Sequence, residues 1–157
     1  MTRAGGRGLL CRLMPLVMVT VVAGSTPSRV ASAASAPIVR VALAEWSVTP
    51  KPKTVSAGHT RFVVKNAGYS LHELVIVRAR TPDALPTNAD GSVAEDQIAP
   101  ADRVGAVDDV ASKHSRRTTF RLSPGRYVLF CNIVEEGHFS HFAEHMVNTL
   151  RVDASGR

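Results

Sequence analysis

From Ile38 to Val152 the chain is a succession of short alternating or β-branched runs, each cut off by Gly, Pro or Asn, with no long amphipathic helical stretch. That punctuation limits it to an all-β architecture. Residues 38–43 alternate after Pro37, residues 54–56 follow a Pro-rich turn at Pro50 and Pro52, and residues 60–65 lie between Gly58 and the break at 66–68. Residues 71–77 are almost continuous in Leu, Val and Ile, the pattern of a strand covered on both faces. Strand signals return at 116–122, turn at Pro124 and Gly125, and resume at 126–133 and 147–152. Residues 80–103 differ: Pro82, Pro86 and Pro100 with few β-branched residues read as a long loop insertion carrying one short helix near 93–98. Seven or eight short strands with tight turns predict an antiparallel Greek-key β-sandwich.

The first 33 residues have a different character. Arg3, Arg7 and Arg12 precede an apolar run at 13–24, which is too short to span a bilayer, since that takes about 20 residues. Ala31, Ser32 and Ala33 then offer a small-residue cleavage site. The combination predicts a signal peptide at 1–33, with a retained anchor as the alternative, and hence an exported protein, periplasmic or extracellular. Residues 34–157 are expected to form one domain with no transmembrane span. Four of the 19 basic residues and none of the 13 acidic ones lie in 1–33, so the formal charge of +6 falls to an excess of two in the remainder. No basic face for nucleic acid is implied.

Of the two cysteines, Cys11 belongs to the leader and Cys131 stands alone. Exported proteins usually hold cysteines in pairs, so a single one is a buried thiol, an intermolecular bridge or a metal-bound thiolate. Its neighbours favour the metal. Cys131, His141 and Met146 fall at a strand end, in the following loop and at the start of the last strand. Two imidazoles and a thiolate with a weak thioether form the electron-transfer copper set. His72 is placed to be the second imidazole, sharing a strand face with Leu74 and Ile76, as Cys131 does with Tyr127 and Leu129.

These residues resemble the plastocyanin-like cupredoxin family of type 1 blue copper proteins. Its C-terminal pattern is matched by Gly125, Tyr127, Leu129, Cys131 and Asn132, by His141 with four residues between it and Met146, and by Thr149, Leu150 and Val152 in the last strand. Residues 71–77, with His72 followed by Glu73, are similar to the strand that carries the first histidine in bacterial members. The resemblance implies one copper ion held by His72, Cys131 and His141 as strong ligands and Met146 as a weak axial one. Two features depart from it. Nine residues separate Cys131 from His141, as in a long-loop subset, and His145 stands where that pattern has glycine, which is costly if the position is left-handed.

Other readings of these residues remain open. His138 is the alternative to His141, because it follows Gly137, but only His141 keeps the spacing to Met146. His138, His141 and His145 on one helical face would make a zinc site, at the cost of leaving Cys131 and Met146 unexplained. Met146 and His72 could be core residues. His59 and His114 read as surface residues, Trp46 as packing, and the acidic pairs, including Glu135 and Glu136, as solvated. Nothing resembles a catalytic elbow or a phosphate loop, and no enzymatic activity is expected. The expected function is one-electron transfer with a redox partner protein, by a monomer; the alternative is a copper carrier or chaperone.

Overall fold

The computed structural model describes residues 1–2 and 35–155. The chain divides into two units, Met1–Ala33 and Ala34–Arg157, and every strand described belongs to the second. The predicted signal peptide lies outside the described residues, apart from Met1 and Thr2.

Among the described residues, nine strands form two sheets. They are β1 (Ile38–Ala44), β2 (Ser47–Lys51), β3 (Thr54–Ser56), β4 (Gly58–Asn66), β5 (His72–Arg78), β6 (Arg103–Val110), β7 (Ser115–Leu122), β8 (Gly125–Phe130) and β9 (Val147–Asp153). One sheet has the order β2-β1-β4-β7 and the other β3-β9-β8-β5-β6. β1 alternates exposed and buried along its length, as a strand with one solvated face must. Its inward residues Val39, Val41 and Leu43 meet Leu74, Ile76, Leu129 and Leu150 of the facing sheet in a continuous core.

Two expectations are corrected. The described residues hold nine strands, not seven or eight, and the sheets are mixed, because β1 pairs parallel with β4 and β3 parallel with β9. β2 is hidden in the sequence by Pro50, which is tolerated because β2 is an edge strand. β6, the opposite edge of the other sheet, is diluted by Gly105, Asp108 and Asp109. Pairing direction leaves no trace in hydrophobic alternation, which reports only the buried face.

The excursion between β5 and β6 is a packed cover. It contains two single 3-10 turns, Pro82–Ala84 and Glu95–Gln97, the second at the position predicted for a short helix. Leu85, Val93 and Ile98 are buried on the outer face of the larger sheet against Val75, Val77, Val128 and Phe130. Each such burial contributes on the order of 1.5–3 kcal/mol. This cover is why β5 is apolar on both faces, as its composition predicts.

The connections place four segments at one pole of the sandwich. β1 ends there at Ala44 and turns through Glu45 and Trp46 into β2, while β4 ends there at Asn66. β5 starts there at His72, and β8 delivers Cys131 just beyond Phe130.

Candidate metal centre

The turn before β5 is fixed by Asn66, whose side chain is fully buried. Its Nδ2 donates to the Ser70 and Val110 carbonyls, both at 2.8 Å, and its Oδ1 accepts from Gly68 N–H at 2.8 Å. The next strand residue, His72, is fully buried and faces the core. Opposite Glu73, β6 carries a bulge, where the register slips between His72 and Leu74 and Asp109 takes φ 50°.

On the other side, the segment from Cys131 to Met146 is closed by backbone hydrogen bonds. Cys131 N–H donates to the Met146 carbonyl at 3.1 Å, and Met146 N–H to the His141 carbonyl at 2.9 Å. His141 N–H donates to the Ile133 carbonyl at 2.8 Å. These bonds fold the loop back over the end of β8 and bring His141 onto Cys131. The cover strengthens this arrangement. Asp90 accepts from Ser140 N–H through its carbonyl at 3.1 Å. The Asn132 side chain pairs with both backbone groups of Val93, accepting at 2.7 Å and donating at 3.0 Å. Gly91, at φ 77°, sits so close to the loop that a Cβ there would lie 2.7 Å from the Ala143 methyl.

His72, Cys131 and His141 converge, with their candidate ligand atoms all within 4.8 Å of one another. His72 Nδ1 and His141 Nδ1 are 3.3 Å apart. Cys131 Sγ lies 3.3 Å from His141 Nδ1 and 3.9 Å from His72 Nδ1. A point equidistant from the three atoms is about 2 Å from each, close to the lengths of metal–imidazole and metal–thiolate bonds, about 2.0–2.3 Å. The residues therefore fit a metal ion. Met146 is fully buried beside them. His138 and His145 are exposed and stand apart from the cluster.

Both imidazoles turn Nδ1 inward and Nε2 outward. Among the described residues neither Nε2 has a hydrogen-bonding partner of good geometry, but each faces a carboxylate: Glu45 Oε1 at 3.5 Å from His72 and Glu135 Oε1 at 3.4 Å from His141. Carboxylates behind metal-binding histidines fix the ring and raise its basicity. Glu45 is itself held by the amides of Ser70 and Tyr69, at 2.8 and 2.5 Å. The Ser70 hydrogen bond first, then that of Tyr69, pulls its carboxyl down to about 2 against the cost of burial. Burial, and next the charge of His141, lowers the pKa of His72. Burial pushes the Cys131 thiol up to about 11, although Glu73 N–H donates to the sulfur at 3.4 Å.

Three participants escape the sequence reading. Glu45 reaches His72 from another strand connection, and no spacing rule links the two. Glu135 reads in sequence as a solvated acid, and its place between Cys131 and His141 is the one signal that points to the site. Trp46, expected to be packing, is 51% exposed and meets the His141 ring edge-on at a centroid distance of 5.4 Å.

Two face-packed mixed sheets, with two histidines and a cysteine gathered at one pole, define a cupredoxin-type sandwich, the fold of the blue copper proteins. No family model and no curated protein matches the chain. Among solved structures it is similar to dithionite-reduced auracyanin from the photosynthetic bacterium Roseiflexus castenholzii, at 23% identity over 75% of this chain and 97% of that one, with TM-score 0.53. Auracyanin B matches at 21% identity over 74% and 88% of the respective chains, with TM-score 0.51. Rusticyanin from Thiobacillus ferrooxidans matches at 17% identity over 76% and 79%, with TM-score 0.50. At these identities the likeness is one of fold.

Proposed function

We propose that this protein is an exported type 1 copper protein that carries single electrons, with His72, Cys131 and His141 as strong copper ligands and Met146 as the weak axial one. The observation that carries this reading is the triangle of two Nδ1 atoms and one Sγ, whose sides suit a single soft ion. Bound there, copper would supply a one-electron couple between Cu(I) and Cu(II). The chain's own part is to hold the donors rigidly and exclude water: His72, Cys131 and Met146 are fully buried and His141 is 2% exposed. Glu45 and Glu135 orient the rings from behind, and Glu73 N–H points at the thiolate sulfur.

Enclosure also favours electron transfer over copper delivery. A site meant to pass its ion to another protein needs an open ligand, and the exposed histidines of the loop, His138 and His145, are outside the cluster. Among the described residues no helix is long and apolar enough to cross a membrane. Export rests on the sequence of residues 1–33, where a basic start, a short apolar run and a small-residue site follow one another.

The test is an absorption and electron paramagnetic resonance spectrum of the copper-loaded protein. An intense visible thiolate-to-copper band that bleaches with a mild reductant is expected. A colourless Cu(II)-loaded protein overturns the proposal.

A further inference from the structure

At the pole opposite the histidines, the edges of the two sheets meet. β6 is the edge of one sheet and β7 the edge of the other. They are stitched at Gly105, where a Cβ would lie 2.7 Å from the Phe120 ring. Beyond that stitch lies a cavity of about 330 Å³, lined by Arg78, Arg103, Arg121, Ser123 and Tyr127 among others. The three arginines come from three strands: the end of β5, the start of β6 and the end of β7.

Three cations in one hollow repel one another unless something neutralises them. Among the described residues, the one arginine–carboxylate pair is Arg151 with Asp153, elsewhere on the surface. Asp102 lines a neighbouring hollow with Arg78, Arg80 and Arg126, and forms no ion pair with them. The pole therefore has an excess of guanidinium charge.

One guanidinium is set in advance. Arg78 Nη2 donates to the Pro124 carbonyl at 3.0 Å, and the side chain runs over Gly125, where a Cβ would come 3.1 Å from Nε. The turn beneath it is held by Tyr127, whose hydroxyl donates to the Ser123 carbonyl at 2.7 Å. A donor fixed before binding loses less entropy when the ligand arrives.

We propose that this cavity binds a phosphate group. Planar guanidinium forks match phosphate oxygens in pairs, and three of them suit a dianion with three or four oxygens better than a two-oxygen monocarboxylate. Two sources present that chemistry: a free phosphate or soluble phosphate ester, and the headgroup of an anionic phospholipid. The cavity is about 20 Å from the histidine pole, the length of β5 from His72 to Arg78. Occupation by a surface-bound phosphate would leave that pole facing outward. The inference does not depend on copper.

The test titrates protein expressed from the full chain with inorganic phosphate at physiological ionic strength, following arginine Nε–H resonances. Saturable shifts at Arg78, Arg103 and Arg121 are expected. R103Q/R121Q removes two guanidiniums that make no hydrogen bond among the described residues, and it should weaken binding by about tenfold or more. R40Q/R117Q removes the same charge from the outer face of the four-stranded sheet and should change affinity by less than about twofold. In parallel, the protein is sedimented with vesicles of phosphatidylglycerol and phosphatidylcholine, and with phosphatidylcholine alone. Phosphate binding without vesicle binding assigns the site to soluble phosphate. R103Q/R121Q-sensitive binding to the anionic vesicles, competed by phosphate, assigns it to the headgroup. Non-saturating titration with no vesicle binding overturns the proposal, and so does an equal loss in both double variants.

Discussion

Glu45 Oε1 stands 3.5 Å from His72 Nε2 while accepting hydrogen bonds from the Ser70 and Tyr69 amides. One carboxylate thus ties the β1–β2 turn to the loop that leads into His72, and closes the outer side of that ring. Gly68 makes room for it, since a Cβ there would lie 2.5 Å from both carboxylate oxygens.

The contact has a defined pH signature. The Glu45 carboxyl is lowered in the fold from 4.5 to about 2, chiefly by the Ser70 and Tyr69 amides. A depressed carboxylate stabilises the fold fully above its unfolded value of 4.5, and the contribution is lost as pH falls from there through 2. Thermal midpoints of the metal-free protein should therefore drop across that window. Glu45→Gln should start lower at neutral pH and show a shallower acid slope. Parallel slopes for both proteins would show that other carboxylates carry the acid sensitivity.

Copper loading should release a proton. Burial holds the Cys131 thiol at about 11, so at neutral pH the metal-free site is a thiol, whereas the ligand is a thiolate. Burial also lowers the pKa of His72, which favours the neutral ring that a metal ligand requires. Apparent affinity should rise by about tenfold for each unit of pH below the thiol value. Calorimetry in buffers of different ionisation enthalpy counts the proton directly. Cys131→Ser should bind far more weakly, lose the visible band and release no proton.

The cover should be needed to hold the loop. Asn132 pairs with both backbone groups of Val93, and its Nδ2 also donates to Glu95 Oε1 at 2.9 Å. Asn132→Ala leaves the Val93 N–H and carbonyl without these partners, at a cost of about 1–3 kcal/mol. Hydrogen exchange should quicken at Val93 and at Ser140, which is held by the same cover, well before it quickens in β1 or β4. Uniform loss across both sheets would mean that the cover and the sandwich open together.

Much of this arrangement is legible in the sequence because it is local or periodic. Alternation locates β1, β4 and β7, and the double-sided apolarity of β5 signals a strand covered on both faces. Spacing within the Cys131–Met146 segment identifies the residues that the structure brings beside His72. What stays hidden depends on partners distant in the chain. Pro50 masks an edge strand, parallel pairing has no pattern of its own, and Glu45 meets His72 only after two sheets have been laid together. The Pro-rich composition of residues 80–103 indicates a loop but gives no sign that Leu85, Val93 and Ile98 seal a sheet face.

His145 offers a test of how the loop ends. It adopts φ 64°, left-handed, where a side chain clashes with its own backbone at a cost of about 1–2 kcal/mol. The turn is imposed by its neighbours: His145 N–H donates to the Phe142 carbonyl at 3.0 Å, and its own carbonyl accepts from Val147 N–H at 2.7 Å. Both bonds are backbone bonds, and the exposed imidazole contributes to neither. Glycine would relieve the strain but lose about 0.5–1 kcal/mol in chain entropy. His145→Gly should therefore raise stability modestly, by up to about 1 kcal/mol, with the copper spectrum unchanged. Urea unfolding at constant slope measures it. A lower midpoint would mean that the imidazole makes a stabilising interaction of its own, and an altered spectrum that this turn positions Met146.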